Sequence, residues 1–318
     1  MLIWTVREST PAIRGGIASL ERVNLGGSEQ SILIRGAKLS NPVLLFLHGG
    51  PGMPTMYLAH AFQRPLEEHF IAVQWDRLGA GKSFRKDIPP AKIRVSREVA
   101  DTVELIELLR ERFHKNKIYV AGFSYGSYLA MLVASRHHEL LHAVIGIGQQ
   151  ACSPKQERQL QEAWIREHAV AAHAEEAIRQ LDGKEPLDRE KWLFEFGGEL
   201  HHSKSWVGLL ATGLMAPEYR LADALNVQRG LSFTHRNLKY DVIQSALMDE
   251  VTSVRVPVYF FMGRFDFTAP TPCAEEYFRR LQAPSKELVW FEDSAHFVFF
   301  EEPKRFAAEA ARIAATLN

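Results

Sequence analysis

Residues 118–128 read IYVAGFSYGSY: an apolar run of β-forming side chains leads straight into G-x-S-x-G, and a helix-compatible stretch with Ser127, Ala130 and Ala134 follows. This order constrains the chain more than any other part of it. A strand that turns sharply into a helix through a serine strains the backbone there, and glycines are needed where a Cβ would collide with neighbouring elements. The pattern predicts that Ser124 stands above a sheet edge. It also predicts that the following helix aims N–H groups at the point where negative charge forms.

The rest of the chain supplies that sheet. Apolar runs at 31–34, 43–47, 70–74, 143–147, 256–262 and 287–291 join the run at 118–121, and 21–25 pairs with 31–34 as an antiparallel hairpin through Gly26-Gly27, making about eight strands. Segments of helical period separate most of them, the pattern of a mostly parallel sheet covered on both faces. Between Ser96 and His114, Val99, Val103, Ile106 and Phe113 fall on one helical stripe. A final helix begins at Pro303 and carries Phe306, Ala310, Ile313 and Leu317 on one face. From 151 to 250 the strand runs disappear, and Gln, Glu, Arg, His and Ala dominate around Trp164, Trp192 and Trp206. We read residues 1–150 and 251–318 as two parts of one α/β core, and 151–250 as a helical cap inserted between them. At roughly 150 residues per domain, 318 residues suit that division.

Composition removes several function classes. With 38 basic and 38 acidic side chains and no basic run, the electrostatic footprint of phosphate-backbone binding is missing, so no nucleic-acid partner is expected. No apolar run approaches the roughly 20 residues of a membrane span, and Arg7, Glu8 and Arg14 interrupt what would be a signal peptide's apolar region. The two cysteines, Cys152 and Cys273, are far apart and lack histidines at metal-ligand spacing. They read as unpaired thiols of a reducing, cytoplasmic compartment, with no metal site. The doublets His137-His138 and His201-His202 read as solvated, without partners for a metal. Gly81-Lys82-Ser83 imitates the end of a phosphate-binding loop, but Asp76 stands where that loop's first glycine belongs. Gly146 and Gly148 give no dinucleotide signal, and no cofactor is expected.

Chemistry concentrates around Ser124. The run VLLFL ends in His48-Gly49-Gly50-Pro51-Gly52, where main chain can approach a carbonyl oxygen closely. With the Tyr125 N–H as one oxyanion donor, the Gly50 N–H is the other, with Gly49 as the fallback; His48 orients the loop. In the order nucleophile, acid, histidine, the base is His296, placed after the last strand run LVWFED. Asp266, at the end of VPVYFFMGRFD, is the acid that holds the imidazole, and Asp293, three residues before His296, is its competitor.

HGGPG, W-D-x-x-G-x-G-x-S, G-x-S-x-G, the G-x-x-D segment and the late S-A-H-F together resemble the α/β-hydrolases of the proline iminopeptidase type, over nearly the whole core. The resemblance implies an eight-stranded sheet, a helical cap over the site, no cofactor, and release of an N-terminal residue, commonly proline, from short peptides. Three departures stand out. The family's D-Q-R-G is here Asp76-Arg77-Leu78-Gly79, and the residue after the nucleophile, often Trp, is Tyr125. The acidic cap stretch of the type A-R-I-E-N-H-Y, which in the family holds the substrate's amine, is not found between Ala151 and Glu250. Glu195, Glu199 and Glu218 are the carboxylates available for that role, against a plain reading of each as surface charge. A small-molecule or short-peptide substrate follows. An esterase or other amide hydrolase on the same fold is the alternative, and a ligand-binding scaffold without chemistry is a third reading. A serine at the elbow argues against the aspartate-based dehalogenase and epoxide-hydrolase chemistries.

Overall fold

The computed structural model describes residues 9–238 and 246–317, so Arg7, Glu8 and part of the 151–250 segment lie outside the described residues. Its strands are β1 Ile17–Leu25, β2 Ser28–Gly36, β3 Val43–Leu47, β4 Ile71–Asp76, β5 Ile118–Phe123, β6 Leu141–Ile147, β7 Val258–Gly263 and β8 Lys286–Phe291. They form one sheet in the order β1-β2-β4-β3-β5-β6-β7-β8. The β1–β2 hairpin turns at Gly26 and Gly27, at φ 50° and 71°, where positive φ suits the tight two-residue turn. β2 meets β4 antiparallel, and every later pairing is parallel. β1 contains the expected hairpin partner 21–25, and each other strand matches one apolar run, with ends shifted by up to a few residues.

Alternation along the central strands divides the core into two layers. On β3, Val43, Leu45 and Leu47 face one layer while Leu44 and Phe46 face the other; on β5, Ile118 and Val120 oppose Tyr119, Ala121 and Phe123. Helices Val95–Phe113, Tyr125–Arg136 and Thr271–Arg280 cover the first face, and Pro303–Leu317 covers the second through Phe306, Ala310 and Ile313. The Val95–Phe113 helix is rotated from the expected stripe. Thr102, Leu105 and Leu109 are buried beside Val99 and Ile106, while Val103 and Phe113 are only partly buried. The rotation carries Glu98 inward to accept a hydrogen bond from the Tyr125 hydroxyl at 2.7 Å.

Register brings the strands' carboxyl ends level. Leu47 lies opposite Gly122 and Trp75, Phe123 opposite Ile147, and Gly263 opposite Phe291. Residues that follow those ends, including His48, Ser124, Asp266 and His296, are therefore delivered to one edge, where ligands bind in open α/β sheets.

Between β6 and β7 the described residues form helices and no strand. Pro154–Ala171 starts with a capping box between Ser153 and Gln156, and Ile165, Ala169, Ala177, Trp192 and Leu193 make a separate small core. No helix among the described residues is long and apolar enough to cross a membrane.

One sequence expectation is overturned. Cys152 and Cys273 are not separate thiols: they form a disulfide with Cα atoms 5.5 Å apart, across 121 residues of chain. Cys152 follows β6 and Cys273 lies on the helix after β7, two strands that are sheet neighbours though distant in sequence. The pairing removes the ground on which the cysteines pointed to a reducing compartment. Titrating thiols in denaturant without reductant is expected to find none, and two after reduction. Two free thiols before reduction would restore the unpaired reading.

Candidate active site

Ser124 adopts φ 53° and ψ −121°, a backbone conformation that non-glycine residues rarely hold. Its neighbours show why the motif's glycines are needed. A Cβ on Gly126 would run into the carbonyl oxygen of Leu47, and one on Gly122 into that of Gly126. The Ser124 N–H donates to Ile147 O at 2.8 Å, tying the elbow to β6. Serine often caps a helix with its hydroxyl, but Ser124 makes no such bond, although it stands at the N-cap of Tyr125–Arg136. Its Oγ is left to the cavity. The first N–H groups of that helix, beginning with Tyr125, have no partner within the helix.

His296 is buried at the same edge of the sheet. Its Nδ1 is 2.8 Å from Asp266 Oδ2, and its backbone N–H donates to Glu199 O at 3.0 Å. The other Asp266 oxygen accepts the Ala269 N–H at 2.9 Å. With Nδ1 committed to the carboxylate, Nε2 is the nitrogen that remains. Burial by itself lowers the ring's pKa, but the Asp266 charge and hydrogen bond, helped by Glu199 and Glu157, outweigh it and hold His296 above its ordinary value. The competitor Asp293 lies elsewhere, exposed and 3.3 Å from His202 Nε2.

Ser124 and His296 line one cavity of about 490 Å³ with Gly50, Met53, Phe123, Gln161, Leu193, Glu199, Trp206, Leu231, Thr268 and Phe297. Its lining mixes apolar side chains with polar and charged ones, His235 among them. Gly50, at φ 112°, lines the cavity, while Gly49 lies behind, where a Cβ would be 3.1 Å from the Cβ of Ser124. His48 is buried with Nδ1 2.9 Å from Gly49 O, and its Nε2 accepts the Arg77 N–H at 3.2 Å. Burial first, and the Arg77 charge second, hold it neutral, in an orienting position.

The three acids singled out from sequence separate in space. Glu199 is buried on the cavity wall and accepts a hydrogen bond from the Thr268 hydroxyl. Desolvation pushes its pKa up to about 7, against the pull of His296. Glu195 is exposed and lines a neighbouring shallow recess. Glu218 is buried away from the cavity, accepting from the Thr10 hydroxyl at 2.8 Å. Asp188, Glu190 and Arg189 also line the cavity, so with Glu199 its carboxylates outnumber its guanidinium.

Sequence reasoning passed over the roles of four residues here. Arg77 is buried; Nη1 donates to His48 O at 2.7 Å and Nη2 to Gly49 O at 3.4 Å, so its guanidinium holds the carbonyls of the glycine loop away from the cavity. Glu98, 3.7 Å from the guanidinium, supplies the counter-charge. Gly148, at φ 51°, sits where a Cβ would be 2.7 Å from the His296 ring; the sequence signal was a glycine directly after a strand. Glu157, on Pro154–Ala171, is raised to about 7 by desolvation with His296 pulling the other way, which places it in the site's field. The phosphate-loop imitation is a structured turn: Gly81–Ser83 is a short 3-10 helix, and Lys82 pairs with Asp223 at 2.7 Å.

Known proteins share this architecture. Residues 44–309 match the alpha/beta hydrolase family. The chain is 31% identical over 306 residues to the probable aminopeptidase YbaC of Bacillus subtilis (strain 168), covering 93% of this chain and 96% of that protein. It is 25% identical over 312 residues to a proline iminopeptidase of Heyndrickxia coagulans, covering 93% and 94%. Its fold is similar to that of a proline iminopeptidase-related protein from Thermus thermophilus, at TM-score 0.66 and 23% identity, covering 95% and 98% of the two chains. The chain belongs to the alpha/beta hydrolase family and is a hydrolase.

Proposed function

We propose that this hydrolase is a serine aminopeptidase of the proline iminopeptidase type, releasing N-terminal residues from short peptides through an acyl-enzyme on Ser124. The observation that carries the reading is the buried bond between His296 Nδ1 and Asp266, made on a cavity shared with Ser124 and Glu199. The names of the relatives, a probable aminopeptidase and a proline iminopeptidase, support it.

In this reading Ser124 Oγ attacks the carbonyl carbon of the first residue while His296 Nε2 takes the hydroxyl proton. Asp266 holds the ring in the Nδ1–H tautomer and stabilises the imidazolium. The N–H groups of Gly50 and Tyr125 receive the oxyanion, and each such donor is typically worth about 10²- to 10³-fold in rate. The proton then passes from Nε2 to the leaving amine. Water, deprotonated by the same ring, hydrolyses the acyl-serine and frees the amino acid. Arg77 acts at one remove, as a positioning residue, by fixing which way the His48 and Gly49 peptides face. The helices of 151–250 serve as a cap, and from them Glu199 meets the substrate's ammonium group, a cation that needs a carboxylate once it leaves water. An esterase remains the second reading, favoured by the apolar wall of Met53, Trp206 and Phe297, which suits an uncharged acyl group.

Prolyl and alanyl arylamides, their N-blocked forms and simple nitrophenyl esters separate the two. Cleavage of the unblocked amides alone is expected; cleavage of esters alone selects the esterase, and activity that survives Ser124→Ala removes the mechanism. Glu199→Gln is expected to lower kcat/KM for unblocked amides by roughly 10- to 100-fold, the worth of a charge-assisted hydrogen bond. The pH profile gives a second readout. Because Glu199 titrates at about 7, its charged form accumulates as pH rises through that value, so wild-type kcat/KM climbs there and falls again as the substrate's amine deprotonates near pH 8. In the variant this limb vanishes. His296 also loses a carboxylate that raises it, so the remaining acid limb moves to lower pH. A profile that does not move assigns Glu199 no part in amine binding.

A further inference from the structure

His201 and His202 lie between the helices Arg189–Glu195 and Val207–Leu214, two residues beyond Glu199, and Asp293 lies on the loop that leads to His296. Asp293 is distant from the histidine doublet in sequence, but the fold brings it there. One ligand atom from each of the three residues lies within 4.8 Å of the others. His202 Nε2 and Asp293 Oδ2 are 3.3 Å apart, close to the roughly 3.3 Å edge of a tetrahedron whose metal–ligand bonds are about 2.0–2.1 Å.

The framework holding these groups is already fixed. One carboxylate, Glu301, accepts the backbone N–H groups of His201 and His202 through Oε1 at 2.7 and 3.1 Å, and that of Ala295 through Oε2 at 2.8 Å. It thus pins both ligand-bearing segments to each other. The His201 ring lies flat on Phe265, with centroids 3.6 Å apart and planes 6° apart, so its plane is set by stacking. Asp293 O is 3.0 Å from the same His202 Nε2, so without metal that nitrogen donates its hydrogen to the loop carbonyl, and zinc binding through it exchanges this hydrogen bond for a metal bond.

Two imidazoles and one carboxylate are a borderline donor set that suits zinc. Calcium and magnesium take mainly oxygen ligands, which this cluster does not supply in number. We propose that His201, His202 and Asp293 form a zinc-binding site on the surface, with water in the fourth position. The proposal does not rest on the aminopeptidase reading. A bound ion would staple the segment carrying Glu199 to the loop carrying His296, joining two walls of the cavity from outside.

The test uses the full chain without a polyhistidine tag, after chelator treatment. Calorimetric titration with Zn²⁺ is expected to show one saturable site. Co²⁺ at the same site should give the visible absorption of a four-coordinate ion, and Zn²⁺ should raise Tm. His202→Ala and Asp293→Asn, both at exposed positions, should each weaken binding by about tenfold or more and remove the Tm shift, while keeping the metal-free Tm. His235→Ala, at a residue that lines the cavity instead, should leave zinc binding intact. Absence of saturable binding in the wild type overturns the proposal, as does binding that survives both ligand variants or that is lost in His235→Ala.

Discussion

Ser124 is held at φ 53° between a strand and a helix, and the rest of the cavity depends on that strained turn staying in place. The turn is kept by close packing rather than by its own preference. Gly122 and Gly126 let the elbow helix settle against β3 and β5 at distances that no Cβ would allow, and the Ser124 N–H is tied to β6. Strain of this kind, typically about 1–3 kcal/mol, persists only where surrounding structure over-determines it. Here the central strands are buried on both faces, and their register leaves the elbow no room to relax.

Buried charge does the remaining positioning, and each charge has a reason to be where it is. Arg77 turns the glycine loop by holding the carbonyls of His48 and Gly49, with Glu98 beside it as counter-charge and the Tyr125 hydroxyl bonded to that acid. Asp266 has both oxygens engaged, one by His296 and one by the Ala269 N–H. A second network fastens the helical segment to the core. Tyr219 donates to Asp76 and Lys82 pairs with Asp223, so the turn after β4 is held from both sides. Glu199 accepts from the Thr268 hydroxyl beside His296, and desolvation dominates its titration as it does for Asp76 and Glu98.

The parts legible in the sequence were those written in contiguous residues. Apolar runs bounded by turn residues located the central strands, because a strand buried on both faces has to be continuously apolar, while the edge strand β1 was located by its hairpin turn at Gly26-Gly27. The elbow was legible because its strand, glycines and helix are adjacent in the chain. Contacts between distant segments were not legible. Cys152 and Cys273 read as separate because 121 residues divide them, yet they follow neighbouring strands. Arg77 looked like a departure from a motif, and only the fold shows it reaching back to His48. Among Glu195, Glu199 and Glu218, sequence offered no way to choose, since burial beside His296 is set by how the helices close over the sheet. The Val95–Phe113 helix was located well but rotated, because burying Glu98 against Tyr125 and Arg77 outweighed a purely apolar stripe.

The central claim is that Ser124 becomes covalently acylated, and acid-quenched intermediate trapping tests it directly. An activated ester or arylamide of a free-amine amino acid is mixed rapidly with enzyme, quenched in acid, digested and analysed by mass spectrometry. An aminoacyl adduct is expected on the peptide containing Ser124, absent from Ser124→Ala and accumulating only to a much smaller extent when His296 is replaced by Gln. Turnover without an adduct at Ser124, or an adduct on another residue of the cavity, would contradict it.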